Sequence, residues 1–143
     1  MTGNEYRQII DSFDVENSPK YQKRGHVTYC NVFAQDVASK CNAPLPDGLC
    51  SNLLDKLSGN KFPRWYSVTY AEAQRRANEG CPTIAITPDH IAMVRPNGDG
   101  SIPAFRREVR ITQAGNTVLN DATLNYGWPP ERLEEIRFYS WYG

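Results

Sequence analysis

Histidine is scarce in this chain: His26 and His90 are the only two in 143 residues. The four cysteines, Cys30, Cys41, Cys50 and Cys81, contain no C-x-x-C pair. No cysteine–histidine spacing fits a structural zinc site, so neither a metal nor a cofactor is expected. An excess of one charge is also missing, with 16 Lys and Arg against 16 Asp and Glu. That balance argues against a nucleic-acid partner and against a polybasic membrane contact. No apolar run approaches the roughly 18 residues a membrane span needs. The opening MTGNEYRQIIDSFD lacks the basic and apolar regions of an export signal. The expectation is a protein made in the cytoplasm without a signal peptide.

What is present suits a globular domain. Apolar residues make up 40% and aromatics 11% of the chain, far from a disordered composition. The length suits one domain, 1–143, able to bury roughly 70% of the surface its unfolded chain exposes.

The periodicity reads as helices first and antiparallel strands after, an α+β layout. Residues 5–14 place Tyr6, Ile9, Ile10 and Phe13 on one helical face. In TYCNVFAQDVASKC, Cys30, Phe33, Ala34, Val37 and Cys41 fall at helical spacing, with Thr28 as the N-cap. Leu49, Leu53, Leu54 and Leu57 suggest a short helix within the Pro- and Gly-rich stretch 43–65. Thr69 and Glu72 form a capping-box pair opening a helix that stops at Gly80. PTIAIT reads as a buried strand, HIAMV as a second strand or the continuation of the first, REVRIT as a third, QAGNTVLND as a loop and IRFYSWY as a closing strand.

A helical span over 29–41 separates Cys30 and Cys41 by about 16 Å along the axis. A disulfide needs Cα atoms within about 7 Å, so that pair is excluded. A Cys41–Cys50 bridge stays open, as does a set of four free thiols.

The chemistry concentrates on Cys30 and His90. Cys30 falls in the first turn of its helix, where orphan N–H groups and the macrodipole favour an anion. A thiolate there has a lowered pKa and is the reactive species. His90 opens an apolar strand, a rigid platform for a base. A third group has to hold the imidazole by its other nitrogen. Gln113, on the face of Val109 and Ile111, is one candidate and Asn116 in the following turn is the other. Asp89 alternates to the opposite face of the strand. The Cys30 backbone N–H is a natural oxyanion donor, with Gln22, His26 and Tyr29 as candidates for the second. Core packing competes with each of these roles. It is also the stronger reading for Trp65 and Tyr66, which otherwise wall a groove.

The runs TYCNVFAQDV, PTIAITPDHIAMVRP and ITQAGN resemble the papain-like cell-wall amidohydrolases of the CHAP and NlpC type, in their small phage-associated or toxin-like versions. In that family a T-[YF]-C-N segment opens the central helix with the nucleophile. A G-H-[VI]-A-x-V strand carries the histidine, and a polar residue on the next strand orients it. The resemblance implies Cys30 as nucleophile, His90 as base and Gln113 or Asn116 as orienter. It spans residues 28–116. Asp89 stands where the family has glycine, which bears on access and on histidine basicity.

The resemblance implies a cysteine amidase or endopeptidase that hydrolyses amide bonds of peptidoglycan through a thioester. Its partner would be a stem peptide or glycan–peptide, met at the bacterial cell wall after lysis or delivery. The settings are a phage lysin with its holin, a tail-borne hydrolase, or a secreted toxin with an immunity protein. The rival from another class is a non-catalytic binding or structural module of the same fold.

Overall fold

The computed structural model describes all residues from Met1 to Gly143. Helix α1 (Gly3–Ser12) opens on a capping box. The Thr2 hydroxyl accepts from the Glu5 amide at 3.1 Å, and the Glu5 carboxylate accepts from the Thr2 amide at 2.9 Å. The helix buries Tyr6 and Ile10, and the Tyr6 hydroxyl donates to the Val94 carbonyl at 2.7 Å. This ties the N-terminal helix to the middle of the sheet.

Helix α2 (Cys30–Lys40) buries Cys30, Phe33, Ala34, Val37 and Ala38. Its N-cap is Tyr29 rather than Thr28, with no side-chain cap. Cys41, expected on the buried stripe, is the C-cap and only half-buried. Phe13 and Tyr21 meet Phe33 edge-on at 5.9 and 5.2 Å between ring centroids. Such pairs each contribute about 0.5–1.5 kcal/mol beyond area burial. Helix α3 (Cys50–Leu57) buries Cys50, Leu53 and Leu57. Leu49, which the leucine spacing put on the inner face, is the exposed N-cap. Helix α4 (Tyr70–Asn78) is capped by the Thr69 hydroxyl, which accepts from the Glu72 amide. It ends at Gly80, whose φ of +92° is cheap only for glycine.

Six strands form one sheet: β1 (Trp65–Val68), β2 (Thr83–Thr87), β3 (His90–Val94), β4 (Arg110–Gln113), β5 (Leu119–Thr123) and β6 (Arg137–Trp141). Their spatial order is β1-β6-β2-β3-β4-β5, and every neighbouring pair is antiparallel. The α+β layout read from the sequence is therefore the architecture found. Helices α2 and α3 pack on β3 and β2, and α4 packs on β6 and β2. Strand β2 is buried at all positions, as its unbroken apolar run requires when both faces are covered.

Two strands escaped the sequence reading. Trp65–Val68 is β1, paired with the closing strand, and Leu119–Thr123, read as loop, is β5. Strand β5 is mostly polar with one fully inward alanine, so it shows no alternation to detect. The REVRIT strand starts later than its pattern suggests, after a short 3-10 turn at Arg106–Glu108. Trp65 is fully buried against Trp141 and donates to the Pro44 carbonyl at 2.9 Å. It is a core residue and walls no groove. No helix is long and apolar enough to cross a membrane.

Candidate functional site

Cys30 is the first residue of α2 and Cys50 the first residue of α3. Both helices point these ends at the start of β3, where His90 stands. The β2–β3 turn is only Pro88 and Asp89, with Thr87 paired to His90 across it. A turn this short holds the imidazole close to the sheet.

The strand register explains the third residue. Met93 pairs with Thr112 in β4, so the next step sets Gln113 opposite Ala92, two residues from His90 and on its face. Gln113 is buried, and its Oε1 lies 2.8 Å from His90 Nε2. The Gln113 amide nitrogen donates to the Thr117 carbonyl at 2.8 Å. An NH₂ group cannot accept, so this second bond turns the amide oxygen toward the ring. The proton of that bond therefore sits on His90 Nε2, and Nδ1 is the ring nitrogen left free of the glutamine. Asn116 lines the same cleft but does not hold the ring.

The packing around this pair is close. Trp128 lies over the imidazole at 4.5 Å between centroids and donates to the Thr87 hydroxyl at 2.9 Å. A Cβ on Gly127 would come within 2.6 Å of Gln113 Oε1, and one on Gly115 within 3.0 Å of His90 Cε1. Both glycines leave the space that the histidine–glutamine pair fills. Trp128 and Gly127 went unread in the sequence, although the string GWPP marks a turn carrying an aromatic.

Cys30 is held well below the ordinary thiol pKa, at about 4. The largest cause is a hydrogen bond from the Cys50 thiol, whose sulfur is 3.6 Å away. Burial opposes the shift, while the His90 imidazole, by hydrogen bond and charge, and the Ile91 amide support it. Cys50 moves the other way, because it donates to Cys30 and is buried. The assignment of the anion to Cys30 agrees with the partners, since His90 and the Ile91 amide act on Cys30. Cys50 is thus a member of the site that the sequence reading did not identify. Its signal was present: Cys50, Leu53, Leu54 and Leu57 keep helical spacing better than a stripe starting at Leu49. All four cysteines are free, and the sulfur nearest Cys50 is that of Cys30, not Cys41.

The Asp89 carboxylate is turned to Arg132 and not to His90. Arg132 grips it with two bonds of 2.8 and 2.9 Å, and the Thr87 hydroxyl adds a third at 2.9 Å. The Arg132 guanidinium is the main reason its carboxyl drops to about 2. Asp89 does not orient His90. Of the candidates for a second oxyanion donor, Gln22 is spent on the Val15, Glu16 and Ser18 carbonyls, whereas His26 lines the cleft beside His90. Tyr29 contributes the cap of α2 and lines neither side of the cleft.

The cleft has two lobes that share Thr28 and Asp89. The larger, about 360 Å³, contains His90, Trp128, Tyr126 and Arg132. The smaller, about 230 Å³, contains Cys30, Cys50, Asn31 and Leu49. A ligand lying across the Thr28–Asp89 divide meets both the thiolate and the imidazole. No group of three or more His, Cys, Asp or Glu side chains is arranged to hold a metal ion. No family model matches the chain, and no curated protein matches it.

Proposed function

We propose that this chain is a papain-like cysteine hydrolase that cleaves amide bonds through a thioester, with peptidoglycan as the substrate class. The observation that carries the proposal is the hydrogen-bonded run from the Thr117 carbonyl through the Gln113 amide to the His90 imidazole, with that imidazole acting on the Cys30 thiol at the start of α2. It supplies a nucleophile at a helix start, a base with one free nitrogen and a group that fixes the tautomer. The choice of peptidoglycan comes from the resemblance of the three sequence runs, and the cleft supports a peptide-like ligand through its polar lining.

In this reading the Cys30 thiolate attacks the amide carbonyl carbon. The oxyanion accepts from the Cys30 backbone N–H, which as a first-turn amide has no partner within the helix. His90, protonated at Nδ1, gives that proton to the leaving nitrogen as the C–N bond breaks. A water then loses a proton to His90 and attacks the thioester, releasing a carboxylate and the thiolate.

The test is digestion of purified sacculi by the wild-type protein and by Cys30→Ala, with products read by mass spectrometry. New amine and carboxyl ends in the wild type alone are expected, and they name the bond. Intact sacculi from several wall chemotypes, with the protein folded, would reject the hydrolase and leave the non-catalytic binding module.

A further inference from the structure

We propose that Cys30 and Cys50 form a two-thiol redox site, in which Cys30 is oxidised by a hydroperoxide and Cys50 closes a reversible Cys30–Cys50 disulfide. The motivating geometry is the sulfur–sulfur contact of 3.6 Å between the first residues of two converging helices. Both residues are nearly inaccessible, at 4% and 6% exposure, yet both line the same solvent-open lobe. A small oxidant reaches them where a protein thiol does not. Cys41 and Cys81 line a different cavity, beside Met1 and Trp141.

The chemistry balances with a hydroperoxide as the only added reagent. The Cys30 thiolate attacks the peroxide, the O–O bond breaks, and sulfenic acid and hydroxide (or alkoxide) form. The Cys50 sulfur then attacks the sulfenic sulfur. Its proton and the sulfenic hydroxyl leave together as water, and the S–S bond forms. Two electrons pass from the thiol pair to the peroxide. The sulfurs close from 3.6 Å to about 2.05 Å. A dithiol reductant returns both thiols by exchange.

Cys50 therefore has a role that packing alone does not give it. Without a neighbouring thiol, a sulfenic acid at Cys30 proceeds to sulfinic acid, which a dithiol does not reverse. The disulfide stops that course and masks the nucleophile until reductant is present.

The proposal does not depend on hydrolysis, and neither does its test. Wild type, Cys41→Ser and Cys50→Ala are treated with hydrogen peroxide, quenched by alkylation, digested with trypsin and mapped by mass spectrometry. Trypsin cuts after Lys40, so Cys30 and Cys50 fall in different peptides, whereas Cys41 and Cys50 share one. The Cys41→Ser protein assigns the bridge to Cys50. The expected result is a crosslinked peptide two hydrogens lighter than its parts, with Cys30 alkylation lost on oxidation and restored by a dithiol. In Cys50→Ala, Cys30 should go to sulfinic acid, with no restoration. Cys30 sulfinic acid in the wild type beside a fully alkylated Cys50 would overturn the proposal. Equal restoration in Cys50→Ala would overturn it as well. The wild-type and Cys41→Ser mapping is decisive even where Cys50→Ala does not fold.

Discussion

Strand β3 is bounded by two polar residues, His90 at its start and Arg95 just past its end, and the two are built differently. At its exit, Arg95 is buried, and one guanidinium nitrogen donates to Asp11 at 2.9 Å, Thr112 at 3.1 Å and the Asn120 carbonyl at 2.8 Å. At its start, His90 has one nitrogen committed to Gln113 and the other left for a thiol at the edge of an open cleft. The first arrangement turns its bonding inward and locks α1 and β5 to the sheet. The second is equally well fixed and turns its other nitrogen to the thiol pair. A fixed group that keeps one nitrogen for a reacting partner suits general acid–base chemistry, whereas Arg95 spends Nη1 on three acceptors that tie elements together while its Nε is buried without a hydrogen bond.

That contrast predicts opposite phenotypes, with the largest effects of the set. His90→Ala should lower amide hydrolysis by about 10²–10⁴-fold while moving the thermal midpoint little. Arg95→Ala should do the reverse. Removing one partner of a buried ion pair costs about 3–5 kcal/mol. Asp11 is 44% exposed in its side chain and rehydrates, so about 2–3 kcal/mol is expected here. Urea unfolding and sacculus turnover on both variants measure it. A His90→Ala protein that unfolds like Arg95→Ala while Arg95→Ala loses turnover would erase the distinction.

The acid side of the comparison is read in the reactivity of Cys30. With its pKa lowered to about 4, the thiolate persists from neutral pH down to about pH 5. Iodoacetamide labelling of Cys30 should therefore stay nearly level over that range. Labelling of an ordinary thiol falls about tenfold per pH unit below its pKa of roughly 8.5. The fold favours the thiolate, so the stability Cys30 contributes is fully present above its ordinary value of 9.0 and is lost as pH falls through about 4. Cys50, held as thiol, opposes folding above the same ordinary value. A labelling rate that falls tenfold between pH 7 and 6 would mean that Cys30 is an ordinary buried thiol, since both pH values lie well above the expected value of about 4.

Gly127→Ala should have an intermediate effect. Its Cβ would meet Gln113 Oε1 at 2.6 Å and Ile111 Cδ1 at 3.2 Å. The amide then has to leave His90 Nε2, and losing such an orienting partner costs about 10–100-fold in activity. The structural readout is the labelling profile, which should move to higher pH as the imidazole loses its fixed tautomer. A variant with lower stability and an unchanged profile would reduce Gly127 to a packing residue.

How far the sequence revealed all this follows the physics of each signal. Helix α2 was legible because Phe33, Ala34 and Val37 bury one face of a 3.6-residue repeat. Strands β2 and β3 were legible as unbroken apolar runs, and Gln113 as a residue on the inward face of β4. Strand β5 was not legible, because an edge strand with a polar face has no period to read. Cys50, Trp128 and Gly127 were not recognised because their roles depend on approach. Cys50 reaches Cys30 only when two helix starts converge, and Trp128 reaches His90 across 38 residues. Spacing along a chain carries no information about such contacts until the sheet order is known.

The smallest effect belongs to Asp89, the residue before His90. Asp89 and Arg132 form an exposed pair, with 62% and 31% of their side chains accessible. Pairs of this kind contribute about 0–1 kcal/mol, so Asp89→Asn should change stability by less than that. Its kinetic meaning depends on where the carboxylate points. Arg132 and Thr87 hold it away from His90, yet its charge acts on Cys50 and the residue lines both lobes. Asp89→Asn removes the charge and keeps the shape, whereas Asp89→Gly removes both and opens the divide. If the carboxylate is only a clamp for the turn, Asp89→Asn should leave turnover within about twofold (a few tenths of a kcal/mol by the same exposed-pair reasoning), and Asp89→Gly should alter KM more than kcat. A large loss in kcat for Asp89→Asn would instead make the carboxylate part of the electrostatics at the thiol pair, and the two ends of β3 would differ less than their hydrogen bonds imply.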